Sequence, residues 1–225
     1  MKNSLIHHRV KGASVMKNLK YVALPALVLI ASIGSLQAAP TRIMVPQIIT
    51  VPGSYVLANI TGTSGGAAIE IQASDVTLNL NGHTITATQG DGVIIDQFVG
   101  NNTNVTLVNA HVSNGRIVAG NVGVSIAGSD CLVNGLNITI AQSGFGIEIE
   151  HGQFNRVRSC VLSVPTAQQG RAVFSLFLAS HNTIQNCTLA GTYVDTIEEQ
   201  DQAGAAFTVI GDNTFSGNQF ASPTP

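Results

Sequence analysis

Only 10% of the 225 residues are charged, so one crowded stretch stands out: Glu148, Glu150, His151, Arg156 and Arg158, with Asp130 a little upstream. Glu148 and Glu150 alternate with Ile147 and Ile149, and Arg156 and Arg158 flank Val157. In an extended chain successive side chains point to opposite faces, so aliphatic residues turned inward put all four charges outside. Outward carboxylates suit a hard divalent cation such as Ca2+, which makes Glu148, Glu150 and Asp130 the candidate metal ligands. A cation there would acidify a substrate proton, and Arg158 or Arg156, its proton affinity lowered by the same charge, would remove it. Glu148, Glu150 and His151 complete the candidate catalytic set. Two carboxylates from one strand are few for an ion that usually takes about six to eight oxygens. The competing reading is a solvated salt-bridge patch that keeps a β face soluble.

The other reactive residues are scattered. Cys131, Cys160 and Cys187 and the six histidines lack metal-type spacing, so no zinc site or cofactor is expected. His83 reads as a hydrogen-bonded structural histidine, and His111 and His181 as turn or strand-face residues with no carboxylate partner. Asn-x-Thr triplets at Asn59, Asn101, Asn104, Asn137 and Asn186 matter only in a glycosylating host.

The elements that carry these residues are β strands and turns. Glycine is plentiful at 23 residues, tryptophan is absent, and Asn, Thr, Ser and Gln stand where Lys and Glu usually do. Residues 1–38 read as a secretory signal peptide: Lys17 and Lys20, the short apolar run Tyr21 to Ile33, then Gly34 to Ala38 with small residues at the end. Met16 to Ala38 alone makes a complete leader, so Met16 is an alternative start. The expected compartment is secreted or periplasmic, with no membrane span once the leader is cut, because the run is short and holds Pro25. Cleavage removes every lysine and leaves five arginines against twelve acids, a formal charge of −7. Such a chain has no electrostatic footprint for nucleic acid, and it disfavours a polyanionic glycan unless a cation bridges the two.

Beyond the leader the chain repeats. Eight-residue segments starting at Leu78, Val105, Cys131, Asn155, Asn182 and Asn213 have apolar third residues (Leu80, Leu107, Val133, Val157, Ile184, Phe215) and apolar eighth residues (Ile85, Val112, Ile138, Leu162, Leu189, Phe220). Each follows a short alternating strand: Ile69 to Ile71, Val93 to Ile95, Val124 to Ile126, Ile147 to Ile149, Val173 to Ser175 and Phe207 to Val209. Glycine or alanine precedes several of them, as a tight turn requires. Period-two alternation inside a longer repeat predicts an all-β solenoid of about six to seven stacked coils. A Greek-key β-sandwich is the rival fold. No stretch after the leader has a helical period, and Asp195 to Gln202 reads as an acidic loop. The domains are then 1–38 signal peptide, 39–67 N-terminal strand and cap, 68–220 solenoid and 221–225 tail.

Ser74-Asp75-Val76-Thr77-Leu78-Asn79-Leu80-Asn81-Gly82-His83-Thr84-Ile85, the upstream Ile49 to Leu57, and the recurrent Asn-x-Ile-x-x-Cys-x-Leu resemble secreted proteins with right-handed parallel β-helix repeats, the pectate-lyase-like superfamily. The resemblance covers residues 43 to 220 and implies a single-stranded right-handed parallel β-helix. It leaves function open, since that superfamily contains lyases, glycosidases, epimerases and adhesins. Asn155, Asn182 and Asn213 share a register position, which resembles the family's stacked asparagine ladders. Cys160 and Cys187 share another; stacking brings their Cα atoms to about 4.8 Å, where a disulfide fits, although parallel side chains favour two buried thiols, with Cys131 also buried.

The family's hydrolase motifs are incomplete here. Gly128-Ser129-Asp130-Cys131 and Gly144-Phe145-Gly146 resemble Gly-Asp-Asp-Cys and Gly-His-Gly, but Ser129 replaces a carboxylate and Phe145 the histidine, so two-carboxylate hydrolysis is not carried over. Asp130 then reads as a turn residue. The leading expectation is non-catalytic attachment to a polysaccharide, a cell-surface glycan or another surface. The alternatives are a polysaccharide lyase or glycoside hydrolase at the Glu148/Arg158 cluster, and a structural or adhesive module. Only Ala221 to Pro225 follow the last repeat, too little to cap a strand stack, so residues 192–202 are expected to fold over that end or two chains to meet there.

Overall fold

A computed structural model describes residues 38–58, 62–96, 107–142, 144–163, 174–177, 179–190, 197–200 and 214–221, all of which lie in the compact unit Ala38–Pro225. The leader, Asn213 and Phe207 to Val209 lie outside these residues, as does most of the 192–202 segment. The described residues form strands and turns, with no helix, and so none long and apolar enough to cross a membrane.

Two parallel sheets account for all the strands. The smaller is ordered β2 (Gln47–Ile49), β5 (Ile69–Ile71), β8 (Val93–Ile95), β10 (Val124–Ile126), β12 (Ile147–Glu150), β15 (Phe174–Phe177) and β18 (Ile197–Gln200). The larger has the path β1 (Thr41–Ile43), β3 (Gly53–Leu57), β6 (Val76–Asn79), β9 (His111–Ala119), β11 (Leu132–Ile140), β13 (Arg156–Arg158), β16 (Thr183–Gln185) and β19 (Thr214–Ser216). Beside that path lie β4 (Gly62–Ser64), β7 (Thr84–Ala87), β14 (Val161–Ser163), β17 (Thr188–Ala190) and β20 (Gln219–Ala221). From β5 onward each repeat lays one strand in the smaller sheet, then one long or two short strands in the larger. Every registered pair is parallel, which removes the antiparallel Greek-key rival.

Alternation drives the packing. Ile147 and Ile149 are buried while Glu148 and Glu150 are half-buried, and Val157 is buried between exposed Arg156 and Arg158. The column Leu78, Val112, Val133, Val157, Ile184 is fully buried, each residue opposite the next. Burying such a side chain stabilises by about 1.5–3 kcal/mol, and no repeat achieves it without its neighbours. Phe215 continues the column but is 36% exposed: it pairs with Ile184 on β16 at the edge of the sheet, and no described strand lies beyond it.

Two columns of left-handed residues turn the chain. Asp75, Asn109, Asp130, Phe154 and His181, at φ between 55° and 60°, lead from the smaller sheet to the larger. Asn114, Gly135, Ser159, Asn186 and Gly217, at 54° to 64°, bend the chain within the larger. Gly123, ahead of β10, serves differently. Its φ is not in the left-handed region, but a Cβ there would lie 2.4 Å from the Gly146 carbonyl oxygen, so glycine is required by close approach of successive repeats rather than by turn conformation.

Several registers differ from those expected from the sequence. Val112, not Leu107, lies opposite Val133, and Leu78, not Leu80, lies opposite Val112. Phe174, not Val173, faces Ile147. Among the described residues the last strand of the smaller sheet is Ile197–Gln200, inside the segment expected to be an acidic loop. Where two apolar residues compete for one position, as Leu107 with Val112 and Leu80 with Leu78, the hydrogen bonds to the neighbouring repeat decide between them.

Candidate functional site

The outward charges sit on two sheets that meet at a corner. Glu148 and Glu150 lie on β12 of the smaller sheet, and Arg156 and Arg158 on β13 of the larger. His151, Gly152, Gln153, Phe154 and Asn155 make the corner between them. Acids and arginines therefore project from different faces. Asp130 lies at the preceding corner, where its N–H donates to the Gln153 carbonyl at 3.0 Å, and it is exposed. Among the described residues no three His, Cys, Asp or Glu side chains group closely enough to hold a metal ion, so Glu148, Glu150 and Asp130 are not brought together as a calcium site. Glu70, in the same outward row as Glu148 but three strands away, accepts a hydrogen bond from Gln72 Nε2 at 2.6 Å.

The corner is held by asparagines. Asn155 Oδ1 accepts the Cys131 N–H at 2.8 Å and its Nδ2 donates to the Gly128 carbonyl at 2.9 Å. Asn182 repeats the arrangement, accepting the Asn155 N–H at 2.9 Å and donating to the Gly152 carbonyl at 3.1 Å. Both are fully buried. A side-chain amide bonded to backbone groups of the neighbouring repeat is thus what fixes the corner that carries Phe154 and Arg156.

Cys131, Cys160 and Cys187 are free, buried thiols. Burial pushes Cys131 up to about 11. Cys160 rises further, through its hydrogen bond with Cys187 and through burial. Asn218, not a cysteine, follows Cys187: its Oδ1 accepts the Cys187 N–H at 2.9 Å.

The histidines divide. His83 lies in the turn between β6 and β7, its Nε2 3.4 Å from Asn81 Nδ2, and the registers Thr84–Arg116–Asn137–Val161–Thr188 put it one residue earlier, in the column that carries Cys160 and Cys187. His111 is half-buried on β9, and its Nε2 is shielded from solvent with no hydrogen-bond partner; burial, and then the charge of Arg158, hold its pKa below the usual histidine value. His181 is exposed, its ring 5.1 Å from that of Phe154 and inclined by 32°.

Sequence reasoning does not single out Phe154 as a site residue. It is 50% exposed, at φ 58°, in a column whose earlier members are Asp75, Asn109 and Asp130. The available signal is a phenylalanine directly before the corner asparagine, where the preceding repeat has aspartate before Cys131.

The chain matches no protein-family model and no curated protein sequence. Among solved structures it is similar to one described as a "putative glycosyl hydrolase" from Parabacteroides merdae ATCC 43184, with 11% identity over 77% of this chain and 82% of that one and a TM-score of 0.49.

Proposed function

We propose that this protein is an exported right-handed parallel β-helix that binds a glycan without cleaving it, on the face that runs from the Phe154 corner across Arg156 and Arg158. Regular alternation between two parallel sheets supports stacked coils, and a connection between parallel strands of one sheet is right-handed in about 98% of cases. The leader-like segment of residues 1–38 supports export.

The observation that carries the binding reading is the division of the charges. A lyase needs its cation and its base on the same substrate proton, whereas Glu148 and Glu150 belong to one sheet and Arg156 and Arg158 to the other. Around the arginines the outward positions are uncharged and mostly polar: Ser113 and Asn134 in one row with Arg158 and Gln185, and Leu132 and Thr183 on either side of Arg156. Hydroxyls and amides both donate and accept, which suits a hydroxyl-rich ligand. The test is a panel of soluble polysaccharides measured for retention of the protein and for new reducing or unsaturated ends. Retention with no new ends is expected; new ends that vanish in Arg158→Ala would establish the lyase instead.

A further inference from the structure

Phe154 lies outside the buried core. Half its surface is exposed, and it holds the left-handed conformation, at φ 58°, in which a bulky residue is an outlier. Asp75, Asn109 and Asp130, earlier in its column, are the kinds of residue that accept this conformation readily. Strain of this sort survives where the surroundings over-determine it, and it concentrates at binding sites. The surroundings here are the buried Asn155 ladder on one side and, one repeat on, the ring of His181 at 5.1 Å, which covers one face of the phenyl ring. On the other side the same column holds exposed Asp130 in the neighbouring repeat, about one strand spacing of 4.8 Å away and joined to this corner through the Gln153 carbonyl. A carboxylate is too short to cover a phenyl face. The corner thus presents an exposed phenyl ring one repeat from an exposed carboxylate, with exposed Gln153 and Arg156 beside them.

We propose that this corner is a subsite for a neutral pyranose residue, whose apolar C–H face stacks on Phe154 while two adjacent hydroxyls donate to the Asp130 carboxylate. The proposal rests on the glycan-binding reading and narrows it to a substrate class. A carboxylate accepts two O–H donors, and Gln153 and Arg156 can donate to ring and hydroxyl oxygens. Asp130 carries like charge to a uronate or sulfate and so selects against both. A quaternary ammonium group is recognised by a cage of several aromatic rings, and here there is one phenyl face.

Affinity electrophoresis of the full-length exported protein in gels of neutral glucan, xylan or mannan and of polygalacturonate tests this directly. Wild type should be retarded by at least one neutral polysaccharide and not by polygalacturonate. Phe154→Asn removes the ring yet installs a residue suited to the left-handed corner, so melting temperature should hold or rise while affinity falls by about tenfold or more, the order expected when one aromatic stacking partner is removed. Asp130→Asn, which also suits the turn, should weaken binding with the fold intact. Unchanged retardation of Phe154→Asn, or retardation by polygalacturonate alone, overturns the subsite and leaves glycan binding elsewhere on the face. Retardation by no polysaccharide overturns the binding reading together with the subsite.

Discussion

Replacing Asn155 by alanine should cost far more than a side chain of its size suggests. Its amide satisfies two backbone groups, the Cys131 N–H at 2.8 Å and the Gly128 carbonyl at 2.9 Å, in a site with no solvent exposure. Losing two hydrogen bonds removes about 1 kcal/mol each, and stranding a buried backbone group adds about 1–3 kcal/mol. The total is about 3–5 kcal/mol, read as a shift in the urea midpoint followed by circular dichroism. Asn155→Asp sharpens the test. One carboxyl oxygen can still accept the Cys131 N–H, but the other now faces the Gly128 carbonyl and satisfies it only when protonated. Burial and that carbonyl raise the folded-state pKa of the introduced acid above its unfolded value of about 3.9. The folded state then binds more protons than the unfolded state, so stability relative to wild type should be greatest below about pH 4 and decline as pH rises towards the folded-state value. A cost below about 1 kcal/mol for the alanine variant, or an aspartate variant that gains stability with rising pH, would refute the ladder's structural role.

Ile184→Ala should cost about 2–5 kcal/mol in the fully buried column, and Phe215→Ala, at the exposed end of that column, under about 1 kcal/mol; equal costs in denaturant titrations would mean the end of the stack is covered. His111 is held neutral in the fold, so wild-type stability should fall as pH drops below the unfolded histidine value of about 6.5, and His111→Asn should flatten that limb of the stability profile. Cys131, pushed up to about 11 by burial, should resist a thiol-directed reagent near neutral pH until urea unfolds the chain; rapid labelling of folded protein at Cys131, located by peptide mass, would count against its burial.

Local alternation is enough to settle the facing of the charged side chains. Ile147, Glu148, Ile149 and Glu150 differ in polarity residue by residue, and an extended chain has only two faces on which to put them. The same logic exposes Arg156 and Arg158, buries Val157 and marks Asn155 and Asn182 as equivalent. Local pattern has no term for what lies across from a strand. Leu107 and Val112 are both apolar, and only hydrogen bonding to β11 sets Val112 opposite Val133. Ile197–Gln200 takes its place beside β15 in the smaller sheet through the same kind of pairing. Nor does spacing along the chain say which way a corner turns, so acids and arginines a few residues apart read as one cluster, although the corner at residues 151–155 sends them to separate sheets. The surface at the Phe154 corner is likewise a tertiary product. Asp130, Phe154 and His181 come from three successive repeats, and only the parallel stacking of those repeats brings them side by side.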